Sequence, residues 1–161
     1  MNPLPEATLL FLLRGNSPRH ILLGHKKTGL GAGKVGGIGG KVEPGESVAA
    51  AAIREMEEET GVRVAEEDLD YVACLDFVFP YKPSWGQRVH AYLAYRWQGE
   101  PSESDEMAPV WVAVEDIPYE QMWQDSIHWL PRVLKGERVR ARFVFGPDNE
   151  TVTEVEFKPW G

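Results

Sequence analysis

A chain of 161 residues is long enough to bury a real core and short for two, so one domain over residues 1–161 is expected. Its 43% apolar and 26% charged residues exclude a disordered or fibrous chain. A net charge of −8 provides no basic face for a nucleic-acid polymer, although a small phosphorylated ligand stays compatible, because a bound divalent cation locally reverses the field.

Residues 7–13 are rich in apolar side chains, residues 15–18 carry turn chemistry and residues 19–24 resume the apolar run, which together signal a hairpin. The glycine-dense stretch 29–40 suits a loop and close backbone approach rather than a helix. Residues 46–60 predict the clearest helix, because Ala49, Ala52, Ile53, Met56 and Thr60 recur at three- and four-residue steps, and Gly61 stops it. Residues 71–79 and 88–97 read as strands of a long hairpin, joined by a connection that contains Trp85. Residues 110–114 give a short strand and residues 126–135 a second helix weakened by Pro131. Residues 139–145 and 151–157 form a last hairpin around residues 146–149. Strands around a central helix, with another helix late, predict an α/β or α+β fold whose mixed sheet is covered on both faces.

The one cysteine, Cys74, has no intrachain partner and lies in an apolar run, as a buried core thiol does. No basic segment followed by a long apolar run opens the chain, and residues 8–13 are too few to span a bilayer. The expected location is therefore cytoplasmic, with no membrane partner, and the chain is expected to act as a monomer.

Four acids crowd the end of the predicted helix: Glu55, Glu57, Glu58 and Glu59. On a helix Glu55, Glu58 and Glu59 stand at i, i+3 and i+4, so their carboxylates leave from neighbouring points of one side. Like charges at that spacing repel, and a hard cation with oxygen ligands is the natural compensation; Mg²⁺ suits it because it takes carboxylates and substrate phosphates together, with Mn²⁺ as a substitute. A solvated acidic face is the alternative for an arbitrary run of glutamates. The surrounding spacing argues against it: residues 40–62 fit G-x5-E-x7-R-E-U-x-E-E-x-G-U, with U a bulky apolar residue, at every fixed position. A chance match is on the order of one in ten million from average residue usage.

That segment resembles the signature of the Nudix hydrolases, which cleave nucleoside diphosphates linked to another group. The resemblance implies an α/β/α sandwich in which Glu55, Glu58 and Glu59 bind divalent metal and the backbone carbonyl of Gly39 adds an oxygen. Arg54 would orient a catalytic glutamate, with Glu58 one helical turn along; Glu46 would brace the loop and Val62 anchor it. Hydrolysing a phosphoanhydride brings an anionic nucleophile to an anionic phosphorus, so metal ions must neutralise charge and lower the pKa of water. Glu106 and Glu58 are the candidate general bases.

The likeness extends to the oxidised purine nucleoside triphosphatases, the branch of MutT-like 8-oxo-dGTP diphosphatases. It is carried by Gly24-His25-Lys26-Lys27, Gly31-Ala32-Gly33, Gly39-Gly40-Lys41-Val42, Ser104-Asp105-Glu106-Met107, Ile117-Pro118 and Met122-Trp123. It implies that Trp123 stacks on the base, that Asp125 hydrogen-bonds its edge, and that Thr8, Lys26 and Phe77 complete the pocket. The implied reaction is Mg²⁺-dependent hydrolysis of an oxidised purine nucleoside triphosphate to monophosphate and pyrophosphate, a nucleotide-pool sanitisation. Where the branch has a second acid, an asparagine and an aromatic residue, this chain has Ser126, Gly36 and Leu30.

Other features carry less. Residues 31–36 fit G-x-G-x-x-G without the strand-to-helix setting of a dinucleotide site, and no G-K-[S/T] phosphate loop occurs. Trp97, Trp111, Trp129 and Trp160 suit packing, and His20, His25, His90 and His128 lack metal-ligand spacing. Two alternatives to a triphosphatase are weighed: a hydrolase of another nucleoside diphosphate derivative, such as a dinucleoside polyphosphate or nucleotide sugar, and a silent nucleotide-binding regulator. The regulator would be favoured by loss of a motif glutamate, and none is lost.

Overall fold

The computed structural model describes residues 3–16 and 19–161. Its strands are β1 (Glu6–Arg14), β2 (His20–Lys26), β3 (Val35–Gly36), β4 (Asp70–Val78), β5 (Gln87–Ala94), β6 (Met107–Ala113), β7 (Val139–Phe145) and β8 (Val152–Lys158). The helices are α1 (Val48–Thr60) and α2 (Ser126–Leu134), with short 3-10 turns between elements. The eight strands form one sheet of order β3-β2-β1-β5-β4-β7-β8, with β6 along the other edge of β2. Pairs β1–β5 and β4–β7 are parallel and the rest antiparallel, so the sheet is mixed as expected.

Strand alternation sends consecutive residues of β1 to opposite faces. Phe11 and Leu13 join the cluster that holds Trp129, Leu130 and Val133 of α2, while Leu10 and Leu12 join the one that holds Ala52 and Met56 of α1. The sheet is thus covered by one helix on each side. Helix α1 begins where the Ser47 hydroxyl accepts from the Ala50 N–H at 3.1 Å and ends at Gly61, whose φ of 82° no other residue adopts comfortably. The predicted stripe is buried at Ala52, Met56 and Thr60 but only half-buried at Ala49 and Ile53, and Ala51 and Glu59 take the remaining buried positions of α1. Helix α2 runs through Pro131, which removes one helical hydrogen bond, because Trp129, Leu130 and Val133 are anchored in the core.

Several boundaries differ from the sequence expectations for physical reasons. The first two strands share only Leu13↔Ile21 and Arg14↔His20 before diverging; the turn expected over residues 15–18 lies partly outside the described residues. β6 starts at Met107 rather than at residue 110 and tolerates Pro109 because it is an edge strand. β5 ends at Ala94, and Trp97 leaves the sheet to stack on Trp111 at 5.8 Å. Cys74 is buried and free, as expected, with Tyr71 and His90 nearby. Burial pushes its thiol up, and hydrogen bonding with His90 and Tyr71 more than offsets that, leaving it below the usual range.

The glycine-dense stretch is pressed along β1. Ile38 exchanges backbone bonds with Leu10, and the Thr8 N–H donates to the Gly40 carbonyl at 2.8 Å. A Cβ on Gly39 would lie 1.8 Å from the Thr8 carbonyl oxygen, whereas one on Gly36 would meet nothing within 4 Å. Gly39→Ala is therefore expected to cost about 3 kcal/mol or more, against less than about 0.5 for Gly36→Ala. Urea midpoints of the two variants check this; equal midpoints would refute the close approach.

Candidate active site

Arg54 is the hub where loop and helix meet. Its Nε donates to Glu46 Oε2 at 2.7 Å and its Nη2 to Glu46 Oε1 at 3.0 Å and to the Lys41 carbonyl at 3.1 Å. Its Nη1 donates to Glu55 Oε1 at 2.9 Å and to Glu58 Oε2 at 3.2 Å. These bonds, with one from the Glu43 N–H, hold the Glu46 carboxyl at about 2. The brace expected of Glu46 thus runs through Arg54, and Arg54 touches Glu58 one turn along as well as its neighbour Glu55.

The three motif glutamates are not equivalent. Glu58 lies on the open edge of α1 with its side chain 57% exposed. Glu55 turns inward against Gly40, where an added Cβ would come within 2.6 Å of its carboxyl carbon. Glu59 is 6% exposed, and its Oε2 is buried with no hydrogen-bond partner. Burial pushes the Glu59 carboxyl up to about 8, with the charges of Glu55 and Glu106 adding to the rise and Lys26 opposing it. Burial also raises Glu55, against the pull of Arg54, and Glu58 and Glu106 add to that rise. Among the described residues no three such side chains stand already clustered around one point; Arg54 draws Glu55 and Glu58 to itself.

This donor set fits a hard divalent cation. Glu59 has a buried carboxyl oxygen with no hydrogen-bond partner beside a second inward carboxylate, and a divalent cation would offset the cost of ionising both. The carbonyl of Gly39 is available: Ile38 and Gly40 spend theirs on Leu10 and Thr8 of β1, so strand alternation turns that of Gly39 away from β1. Glu106 lies just before β6, exposed, its carbonyl accepting from the Lys27 N–H at 2.8 Å.

A cavity of about 440 Å³ opens beside these groups. Its lining includes Thr8, Lys26, Gly39, Glu59, Phe77, Trp123 and Asp125, so predicted metal-site and base-site residues share one space. Glu55, Glu58, Arg54 and Glu106 stand outside the lining. Leu30, Gly36 and Ser126, the three departures from the branch pattern, all face into it. Trp123 meets Phe79, Trp85 and Phe145 edge to face at 6.1, 6.4 and 5.9 Å. Phe77 rests against Phe143 at 5.8 Å, and Thr8 is buried with its hydroxyl directed at the Gly40 carbonyl. Phe79, Trp85, Gln87 and Phe145 also line the cavity and carried no motif that would have named them.

Asp125 is 4% exposed, and its Oδ2 accepts from Trp129 Nε1 at 2.8 Å. Burial pushes its carboxyl up from 3.8 to about 7, against the lowering effect of that bond. Between those values the folded protein keeps a proton that the unfolded chain has lost, so stability falls as pH rises through this window. Asp125→Asn keeps an acceptor for Trp129 and cannot ionise. Going from pH 4 to pH 8, the wild type is expected to lose a few kcal/mol more than this variant, read from urea midpoints; parallel pH profiles would contradict the buried-acid assignment.

Comparison with known proteins agrees with this geometry. Residues 3–133 match the NUDIX domain family. The chain is 42% identical over 137 residues to an oxidized purine nucleoside triphosphate hydrolase of Danio rerio, covering 85% of this chain and 86% of that protein. It is 37% identical over 151 residues to the protein of the same name from Mus musculus, covering 94% and 92%. Among solved structures, a MutT protein from Bacillus halodurans superposes with a TM-score of 0.82 at 22% identity, covering 98% of this chain and 100% of that one. A bifunctional NMN adenylyltransferase/ADP ribose pyrophosphatase from Francisella tularensis, solved with AMP and a manganese ion, superposes at 0.65 and 20% identity, covering 84% and 42%. No helix among the described residues is long and apolar enough to cross a membrane. With its mixed eight-stranded sheet, two flanking helices and complete acidic motif, this chain belongs to the Nudix hydrolase family, whose members typically depend on a divalent metal.

Proposed function

We propose that the protein hydrolyses purine nucleoside triphosphates, oxidised ones among them, to nucleoside monophosphate and pyrophosphate, with Mg²⁺ as cofactor and Mn²⁺ as its substitute. The observation that carries this is one cavity lined both by the orphaned carboxylate of Glu59 and by Trp123 with the buried acid Asp125. The names of the fish and mouse relatives support the same substrate class.

The residues divide the work. Glu55, Glu58, Glu59 and the Gly39 carbonyl would hold the cation. When bound, it neutralises phosphate charge and lowers the pKa of water. Lys26, close enough to oppose the rise at Glu59, offsets anionic charge on the polyphosphate. Glu58, fixed by Arg54 at the open edge, or Glu106, exposed before β6, accepts the proton of the attacking water. Trp123 stacks on the base, Phe77 and Thr8 shape the space beneath it, and Asp125 offers its second oxygen to the base edge. All of these groups belong to one chain, so the proposed site needs no second copy of it.

Leu30, Gly36 and Ser126 favour a second, broader reading. Each replaces a base-contacting group of the branch pattern with one that makes fewer contacts, which suits a hydrolase that accepts other nucleoside diphosphate derivatives. A substrate panel with Mg²⁺ separates the two: the first reading expects the highest kcat/KM for purine triphosphates, and the second expects it for a dinucleoside polyphosphate or nucleotide sugar. Glu58→Gln and Glu59→Gln keep size and remove charge, so each is expected to lower pyrophosphate release at least about a hundredfold while circular dichroism stays unchanged. Undiminished turnover in both variants would refute the assignment.

A further inference from the structure

The cavity has a second indole that the Nudix motif does not involve. Trp85 and Trp123 stand at 90° with ring centroids 6.4 Å apart, and Phe79 fills their corner, edge to face with both at 5.6 and 6.1 Å. Two indoles at right angles cannot sandwich a flat base; a base stacked on one presents its edge to the other. An ammonium lies over each ring, Lys34 Nζ 4.9 Å from the Trp123 centroid and Lys82 Nζ 4.2 Å from that of Trp85; Lys34 lines the cavity and Lys82 does not.

The loop that carries Trp85 is built to hold it still. The Lys82 N–H donates to the Phe79 carbonyl at 3.0 Å, the Trp85 N–H to the Lys82 carbonyl at 2.9 Å and the Gly86 N–H to the Pro83 carbonyl at 3.1 Å. Pro83 fixes φ at the start of this 3-10 turn. Gly86 is buried, and a Cβ there would lie 3.1 Å from Leu4 and 3.4 Å from the Phe77 carbonyl oxygen, so the turn is seated directly on the strand that carries Phe77. Beside it Gln87 lines the cavity, and among the described residues its amide makes no side-chain hydrogen bond, which leaves a donor and an acceptor for a base edge.

We propose that Trp85 is a specificity-determining residue that selects purine over pyrimidine: a two-ring base lying on Trp123 reaches the wall that Trp85 forms, and a one-ring base falls short of it. The proposal rests on the reading of the cavity as a nucleotide site, and it concerns binding, so it can be tested apart from hydrolysis. Calorimetry with GMP, AMP and CMP on the wild type is expected to show purine binding tighter by about tenfold. Trp85→Ala should weaken GMP and AMP by about five- to tenfold and leave CMP within about twofold, while Trp85→Phe recovers most of the loss. Trp85→Leu, which keeps apolar bulk without a flat ring, gives the same readout should the alanine variant fail to fold. In turnover the alanine variant should raise KM for the purine triphosphate by the same factor with kcat within about twofold. A wild type that binds purine and pyrimidine monophosphates alike, or a variant that keeps their ratio, overturns the proposal. Purine-selective binding without pyrophosphate release would instead overturn the hydrolase reading and leave the role of Trp85 intact.

Discussion

A carboxyl group withdrawn from water among neighbours of its own sign is the constraint on which the rest of this structure turns. Glu59 is buried on α1, its Oε2 has no partner, and its neighbours Glu55 and Glu106 are of the same sign. Ionising such a group is expensive, since burial and its like-charged neighbours both oppose the charge. A protein keeps this arrangement where stability is exchanged for a function, and a hard cation shared with a polyphosphate is the partner that the oxygen donors fit.

The fold holds that arrangement in place from two sides. From the loop side, the glycine run lies flat on β1, with Gly39 too close to the Thr8 carbonyl for any side chain. From the helix side, Arg54 ties Glu46 and the Lys41 carbonyl to Glu55 and Glu58, so loop and helix cannot drift apart without breaking several charge-assisted bonds. The strand order then supplies another part of the cavity. β4 lies between β5 and β7, which places Phe77, Gln87 and Phe145 side by side in the lining, with Trp123 packed against Phe145. The acidic edge of α1 and the aromatic corner thus share one cavity across the strands that also form the core.

Much of the acidic site was legible in the sequence, because helix geometry converts the spacing of Glu55, Glu58 and Glu59 directly into neighbouring positions. What spacing could not convey was their inequality. Apolar periodicity placed Ala52, Met56 and Thr60 on the inward side of α1, where they are, but missed Glu59, since the periodic pattern treats a glutamate as solvent-facing by default. Strand existence was readable from apolar runs, but the start of β6 was hidden by Pro109, which an edge position permits. The aromatic corner was the least legible part. Phe79, Trp85, Trp123 and Phe145 lie in separate segments, and only long-range parallel pairing of β4 with β7 brings two of them together, which no local pattern encodes.

The account is tested most directly by thermal unfolding of the wild type and of Glu59→Gln, each in chelator and in magnesium. If the buried carboxylate is kept for a cation, magnesium raises the wild-type midpoint by a few degrees or more, and the variant, at least as stable as the wild type in chelator at pH 9, gains little from the metal. A wild type indifferent to magnesium, or a variant that gains as much as the wild type, would contradict it.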